Sequence, residues 1–218
     1  MNAINLQIEV TKFLTNCFTT KTKNNLYWQI PQQIPTLFAN NDIKINLCSL
    51  ILLSGETIQD GFGFVIRIIQ CFNLSSKLVY CQIASELAKQ YNFKEIYNLL
   101  KCINESGYTE DLNASYDECI STCIRVFAAS PIGPVNETTS MNTQQYNKDI
   151  DDLIQLIKDE KNKINAYILT GRLKSAYLIA IKMEQVDTVK HIASVAERLG
   201  QNLIKDICNK WVEKYKKK

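Results

Sequence analysis

The chain is poor in residues that interrupt helices and in residues that perform chemistry. Its 218 residues include only seven glycines and four prolines. An all-β fold needs a turn signal every ~8–12 residues, so punctuation this sparse favours long helices. There is one histidine, His191. Histidine is the side chain whose ordinary pKa suits proton transfer near neutral pH. His191 sits beside Lys190 and one turn before Ser194 on the polar side of an amphipathic segment, so it is expected to be an exposed helix residue rather than a general base. The N-terminus, MNAINLQIEVTKFL, has no basic region ahead of a continuous apolar core, so no secretory signal is expected. The longest apolar run, Leu47 to Leu53, is interrupted by Ser49 and falls far short of the ~20 residues a membrane-spanning helix requires.

Metal and nucleophile patterns are equally thin. The eight cysteines include no C-x2-C pair, the spacing that zinc sites use to bring thiolates together. Cys119 and Cys123 lie one helical turn apart, but on the apolar face with Tyr116, Ile120 and Phe127, which points to core packing. Cys17, Cys48, Cys71, Cys81, Cys102 and Cys208 are dispersed singly and are expected to be free thiols in a reducing compartment. Asp60-Gly61-Phe62-Gly63 resembles a kinase magnesium motif only superficially, because no glycine-rich loop, strand lysine or catalytic loop accompanies it. It reads instead as an acidic first turn with two glycines that let helices approach. The carboxylate pairs Glu110-Asp111, Asp117-Glu118, Asp151-Asp152 and Asp159-Glu160 are expected as solvated charge in first turns or loops. No catalytic residue, metal ligand or cofactor is expected, and the chain is read as not an enzyme.

What is present is helical periodicity. Leu6, Val10, Phe13, Leu14 and Cys17 share one face of a first helix. A linker at about 19–40 carries Pro31 and Pro35. Asn41 or Asp42 would cap a helix ending at Ser54-Gly55, and another helix runs from Thr57 to Phe72. The face Tyr80, Ile83, Ala84, Leu87, Ala88, Tyr91 is answered by Phe93, Ile96, Tyr97, Leu100, Ile103, with only Asn92 between them, a tight helical hairpin. A helix over Asn113–Ala128 follows. Residues 130–147, SPIGPVNETTSMNTQQYN, read as a mobile loop within the stack. Helix resumes near Asp149, with Asp151 and Asp152 in its first turn. Three further faces follow: Leu173 to Ile181, Val189 to Leu199, and Leu203, Ile204, Ile207, Cys208, Trp211, Val212, Tyr215. Turns as short as Gly171-Arg172 force neighbouring helices to pack antiparallel. The fold class is therefore all-α, stacked antiparallel helical hairpins of α-solenoid type, with residues 1–218 as one repeat-like domain.

The net charge of +3 is unevenly distributed. Residues 158–218 hold fourteen basic and seven acidic residues, a net of +7, leaving eleven basic and fifteen acidic, −4, for the remainder. Lys210, Lys214, Lys216, Lys217 and Lys218 crowd the last nine positions. Such a run is ordinarily a solvated helix end whose cations complement the helix dipole. The same five lysines are the candidate site for contact with anionic membrane, where each adds ~1 kcal/mol.

Several blocks in order resemble the extreme C-terminal region of the spastizin family of large FYVE zinc-finger proteins: INLQIEVTKFL (4–14), IPTLFANNDIKINL (34–47), QDGFGFVIRIIQ (59–70), EIYNLLKCINESG (95–107), NKINAYILTGRLKSAYLIAIK (162–182), and DIC followed by Trp211. The resemblance implies an α-helical scaffold within a much longer protein. It further implies protein partners, a spatacsin-like protein and the fifth adaptor complex, at late endosomes and lysosomes, and roles in autophagic lysosome reformation and in cytokinesis at the midbody. Family members bind phosphatidylinositol 3-phosphate through the FYVE finger. These 218 residues contain no such finger, so that binding transfers to no residue here. Two functional readings follow, a protein-interaction scaffold and, as the alternative, a peripheral membrane module acting through the basic tail.

Overall fold

A computed structural model describes residues 2–23, 34–106, 111–129 and 143–215. Among these residues there are eleven α-helices and no strand. The chain is all-α, built of stacked antiparallel helical hairpins, and it gathers into two compact units, residues 1–122 and 123–218.

The first unit contains α1 (Ala3–Lys23), α2 (Asn41–Ser54), α3 (Ile58–Phe72), α4 (Ser76–Lys89), α5 (Phe93–Glu105) and the first part of α6 (Asp111–Ala129). Leu6, Val10 and Leu14 recur every four residues along α1 and are fully buried, because α1 packs on α2 and α3. Helix α1 continues to Lys23, into the stretch expected as linker; residues 34–40 are non-helical, and 24–33 lie outside the described residues. Gln7 fastens that connection, its Oε1 accepting from the main-chain N–H of Leu37 at 2.6 Å. The cap of α2 is Asn40, whose side chain accepts from Ile43 N at 2.9 Å. It thus precedes the expected Asn41 or Asp42. An Asn side chain at the Ncap satisfies one of the donors that a helix start leaves without a partner.

Asp60 has a purely local task. Its Oδ2 accepts from Thr57 N at 2.8 Å, closing a capping box at the start of α3. Of the two neighbouring glycines, only Gly61 permits a close approach. A Cβ there would lie 2.8 Å from Ile51 Cγ2 on α2, whereas at Gly63 nothing lies within 4 Å.

The second unit contains the rest of α6, then α7 (Thr143–Gln155), α8 (Glu160–Leu169), α9 (Leu173–Lys182), α10 (Val186–Arg198) and α11 (Asn202–Tyr215). Successive helices from α7 onward pack on one another, and α11 also reaches α9, the nearest-neighbour pattern of a repeat array. Helix α7 starts at Thr143, so residues 143–147 are helical rather than loop; residues 130–142 lie outside the described residues. Asp151 and Asp152 consequently fall in the third turn of α7, not the first. Asp117 is a second departure: only 4% exposed on α6, it is not the solvated carboxylate expected there.

The hairpin turns share one construction. Asn92 N bonds Leu87 O (3.0 Å), Arg172 N bonds Tyr167 O (2.8 Å), Gln185 N bonds Ala180 O (3.0 Å) and Gln201 N bonds Ala196 O (2.8 Å). The residue before each donor is left-handed: Tyr91 (φ 53°), Gly171 (72°), Glu184 (54°) and Gly200 (69°). This is the Schellman ending, which satisfies terminal carbonyls and reverses the chain in two residues. The turns fall where the helical faces placed them; what the sequence did not show is the left-handed backbone at Tyr91 and Glu184, which stand where glycine is usual.

Candidate interaction surface

The apolar face expected on α11 divides in the structure. Cys208 and Val212 are buried, while Leu203 is 80% exposed and Ile207 44%. Leu199, expected to face inward from α10, caps that helix and is 54% exposed. The reason is the turn: Leu199 stands immediately before left-handed Gly200, where the chain is already leaving the face defined by Val189, Ile192 and Ala196. These three are fully buried and hold α10 in place, Val189 and Ile192 each contributing roughly 1.5–3 kcal/mol of apolar transfer energy. Leu199, Leu203 and Ile207 are spaced four apart along the chain and are left uncovered within the unit. Leu178 on α9 and Met183 at its C-cap add further exposed apolar surface. Scattered single hydrophobics are ordinary on protein surfaces, whereas grouped ones mark contact sites.

A polar recess of about 630 Å³ lies in the same unit, lined by Lys161, Ile164 and Asn165 of α8 and by Glu184 to Thr188 of the α9–α10 turn. Tyr215 Oη donates to Glu184 Oε2 at 3.4 Å, and the Tyr215 ring stacks on Trp211 with centroids 5.0 Å apart. Asp187 accepts from Lys190 Nζ at 2.8 Å, and that hydrogen bond holds its carboxyl below the usual range. Lys205 reaches Glu197 at 2.5 Å. Arg172, in the α8–α9 turn, pairs with Asp151 and donates to the Asn147 carbonyl at 3.0 Å, anchoring the array to α7.

Of the lysines singled out from the sequence, Lys210 and Lys214 are exposed one turn apart on α11; Lys216, Lys217 and Lys218 lie outside the described residues. His191 is exposed on α10. Among the described residues no group of three or more His, Cys, Asp or Glu side chains is arranged to hold a metal ion, and no helix is long and apolar enough to cross a membrane. The thiols hold one surprise. Cys81 on α4 and Cys119 on α6 meet side chain to side chain, a pairing that 38 positions of separation concealed.

Short helices folded back by Schellman turns and packed hairpin on hairpin, with apolar and polar contact surface exposed, define a helical-hairpin repeat protein. Residues 75–213 match the model of the family described as "ZFYVE26-like, TPR repeats", and the chain belongs to that family. It is 33% identical over 215 residues to zinc finger FYVE domain-containing protein 26 of Rattus norvegicus and, to the same degree, of Homo sapiens. The alignment covers 97% of this chain but 8% of those relatives, so the chain spans a small part of their length. No solved structure matches. A repeat region of this family is a helical protein-interaction region.

Proposed function

We propose that the chain acts as a non-enzymatic scaffold that docks protein partners on the exposed surface of α9–α11, within a complex at late endosomes or lysosomes. A spatacsin-like protein and the fifth adaptor complex are the partners the family relationship favours, with autophagic lysosome reformation and cytokinesis as the processes served. The observation that carries this reading is the run Leu199, Leu203, Ile207, exposed at the end of α10 and along α11 while Val189, Ile192 and Ala196 of α10 and Cys208 of α11 are fully buried. Burying such residues on a partner gains the transfer energy that folding leaves unused. The test is capture of a purified spatacsin-like protein by the wild-type chain and by the double variant Leu203→Asp, Ile207→Asp. Capture by the former and loss in the latter, with helicity unchanged, supports the reading. Absence of capture by a folded wild-type chain sinks it.

A membrane-surface role is the second reading, favoured by Lys210 and Lys214 standing exposed on one side of α11 ahead of three more lysines. Flotation with vesicles containing anionic lipid, compared with neutral vesicles, separates the two. Binding that disappears when the five lysines are replaced by glutamine supports it, and equal flotation with both vesicles counts against it.

A further inference from the structure

The first unit carries a thiol pair that the interaction surface does not use. Cys81 is half-buried on α4, within solvent's reach, and Cys119 is 1% exposed on α6. Their side chains are hydrogen-bonded to one another, and Thr122, one turn beyond Cys119, also donates to Cys81. The charged groups facing them are Lys77, one turn before Cys81, and Glu118, beside Cys119; these two form an ion pair at 3.8 Å.

Packing alone treats thiols differently. Burial pushes Cys48 up to about 12 and Cys208 up to about 11, and raises Cys102. At Cys81 the hydrogen bond from Cys119 outweighs burial and, with help from Thr122 and Lys77 against the opposing Glu118, draws the thiol down to about 7. A partly exposed thiolate next to a second thiol is the arrangement of a redox-responsive cysteine with its resolving partner.

We propose that Cys81 and Cys119 are a modification site at which a hydroperoxide drives formation of a disulfide between α4 and α6. The Cys81 thiolate attacks the hydroperoxide oxygen: an S–O bond forms, the O–O bond breaks, and the leaving oxygen takes up a proton. The Cys119 sulfur then attacks the resulting sulfenic sulfur, losing its own proton. The S–S bond forms, the S–O bond breaks, and the departing hydroxide leaves as water with that proton. Two thiols are oxidised and one hydroperoxide is reduced to water, or to water and an alcohol. A dithiol reductant reverses the change. The linkage would tie the middle of α6 to α4.

The test treats the reduced full chain with one equivalent of hydrogen peroxide near neutral pH, followed by non-reducing proteolysis and mass spectrometry. The expected result is loss of two hydrogens and a linked peptide joining Cys81 to Cys119, absent from Cys81→Ser. In Cys119→Ser, whose fold is checked by circular dichroism, the sulfenic acid persists at Cys81 and is trapped by dimedone. A second measurement is the pH profile of iodoacetamide labelling, with a Cys81 midpoint near 7 that moves up toward 9 in Cys119→Ser. The proposal is overturned if Cys17 or Cys71, the other half-exposed thiols, oxidise while Cys81 stays reduced. It is equally overturned if Cys81 over-oxidises without forming the linkage.

Discussion

The side-chain amide of Gln201 donates to the main-chain carbonyl of Gly171 at 3.0 Å. It joins the α10–α11 turn to the α8–α9 turn and so sets how one hairpin sits on the previous one. Gln201→Ala should lower stability by about 1 kcal/mol, the ordinary net worth of such a bond. Gln201→Glu, which has no amide N–H to donate, should not restore it. Urea denaturation of both variants checks this.

Gly61 and Gly63 should respond oppositely to alanine. At Gly61 the new Cβ meets Ile51 Cγ2 at 2.8 Å and Ile51 O at 3.0 Å, and relief by backbone movement between α2 and α3 should cost ~1–3 kcal/mol. At Gly63 the space is open, and alanine should stabilise α3 by ~0.5–1 kcal/mol through its better helix propensity. Thermal melts of the two single variants should shift in opposite directions.

Glu184 holds a left-handed conformation, φ 54°, which costs an L-residue roughly 1–2 kcal/mol relative to glycine. Its single long hydrogen bond to Tyr215, 3.4 Å and exposed, offsets only part of that. Glu184→Gly should raise the melting temperature, and Gly171→Ala, at φ 72°, should lower it. A drop in both would show that the Tyr215 contact matters more than the turn.

Alkaline pH should destabilise both units. Cys48 in the first and Cys208 in the second are raised by burial to about 12 and about 11, from an ordinary 9.0. The unfolded chain therefore loses these protons first. The stability they support is complete below about 9 and is lost as pH climbs through 11 to 12. Tyr167 and Tyr177, also raised by burial, act in the same direction. Melts across this range should fall steeply, and less so in Cys48→Ala.

Leu203→Ser should leave stability within ~0.5 kcal/mol, because the side chain is solvated already. Ile192→Ala, fully buried on the preceding helix, should cost ~2–5 kcal/mol. Chemical denaturation distinguishes surface from core at positions that look alike in sequence.

That resemblance marks the limit of what was legible. The helical class, most helix spans and the inward faces of α1, α4, α5 and α10 follow from a 3.6-residue period, which any sufficiently long amphipathic segment displays. The left-handed backbone of Tyr91 and Glu184 did not, since a left-handed residue that is not glycine leaves no trace in composition. Nor did the placement of Asp151 and Asp152: with α7 starting earlier than its apolar spacing indicates, a first-turn pair became a mid-helix pair, one of them salt-bridged to Arg172.

By itself the sequence determined that this protein is a set of amphipathic helices with one histidine, no paired-cysteine metal motif and few breakers, because periodicity and residue type are properties of the chain alone. Only the tertiary structure decided which apolar residues stay uncovered, since Leu199, Leu203 and Ile207 differ from Val189, Ile192 and Ala196 in what packs against them rather than in kind. It likewise brought Cys81 to Cys119. Contact between residues far apart in the chain depends on how helices stack, and stacking is set by turns and side-chain fit that no local pattern encodes.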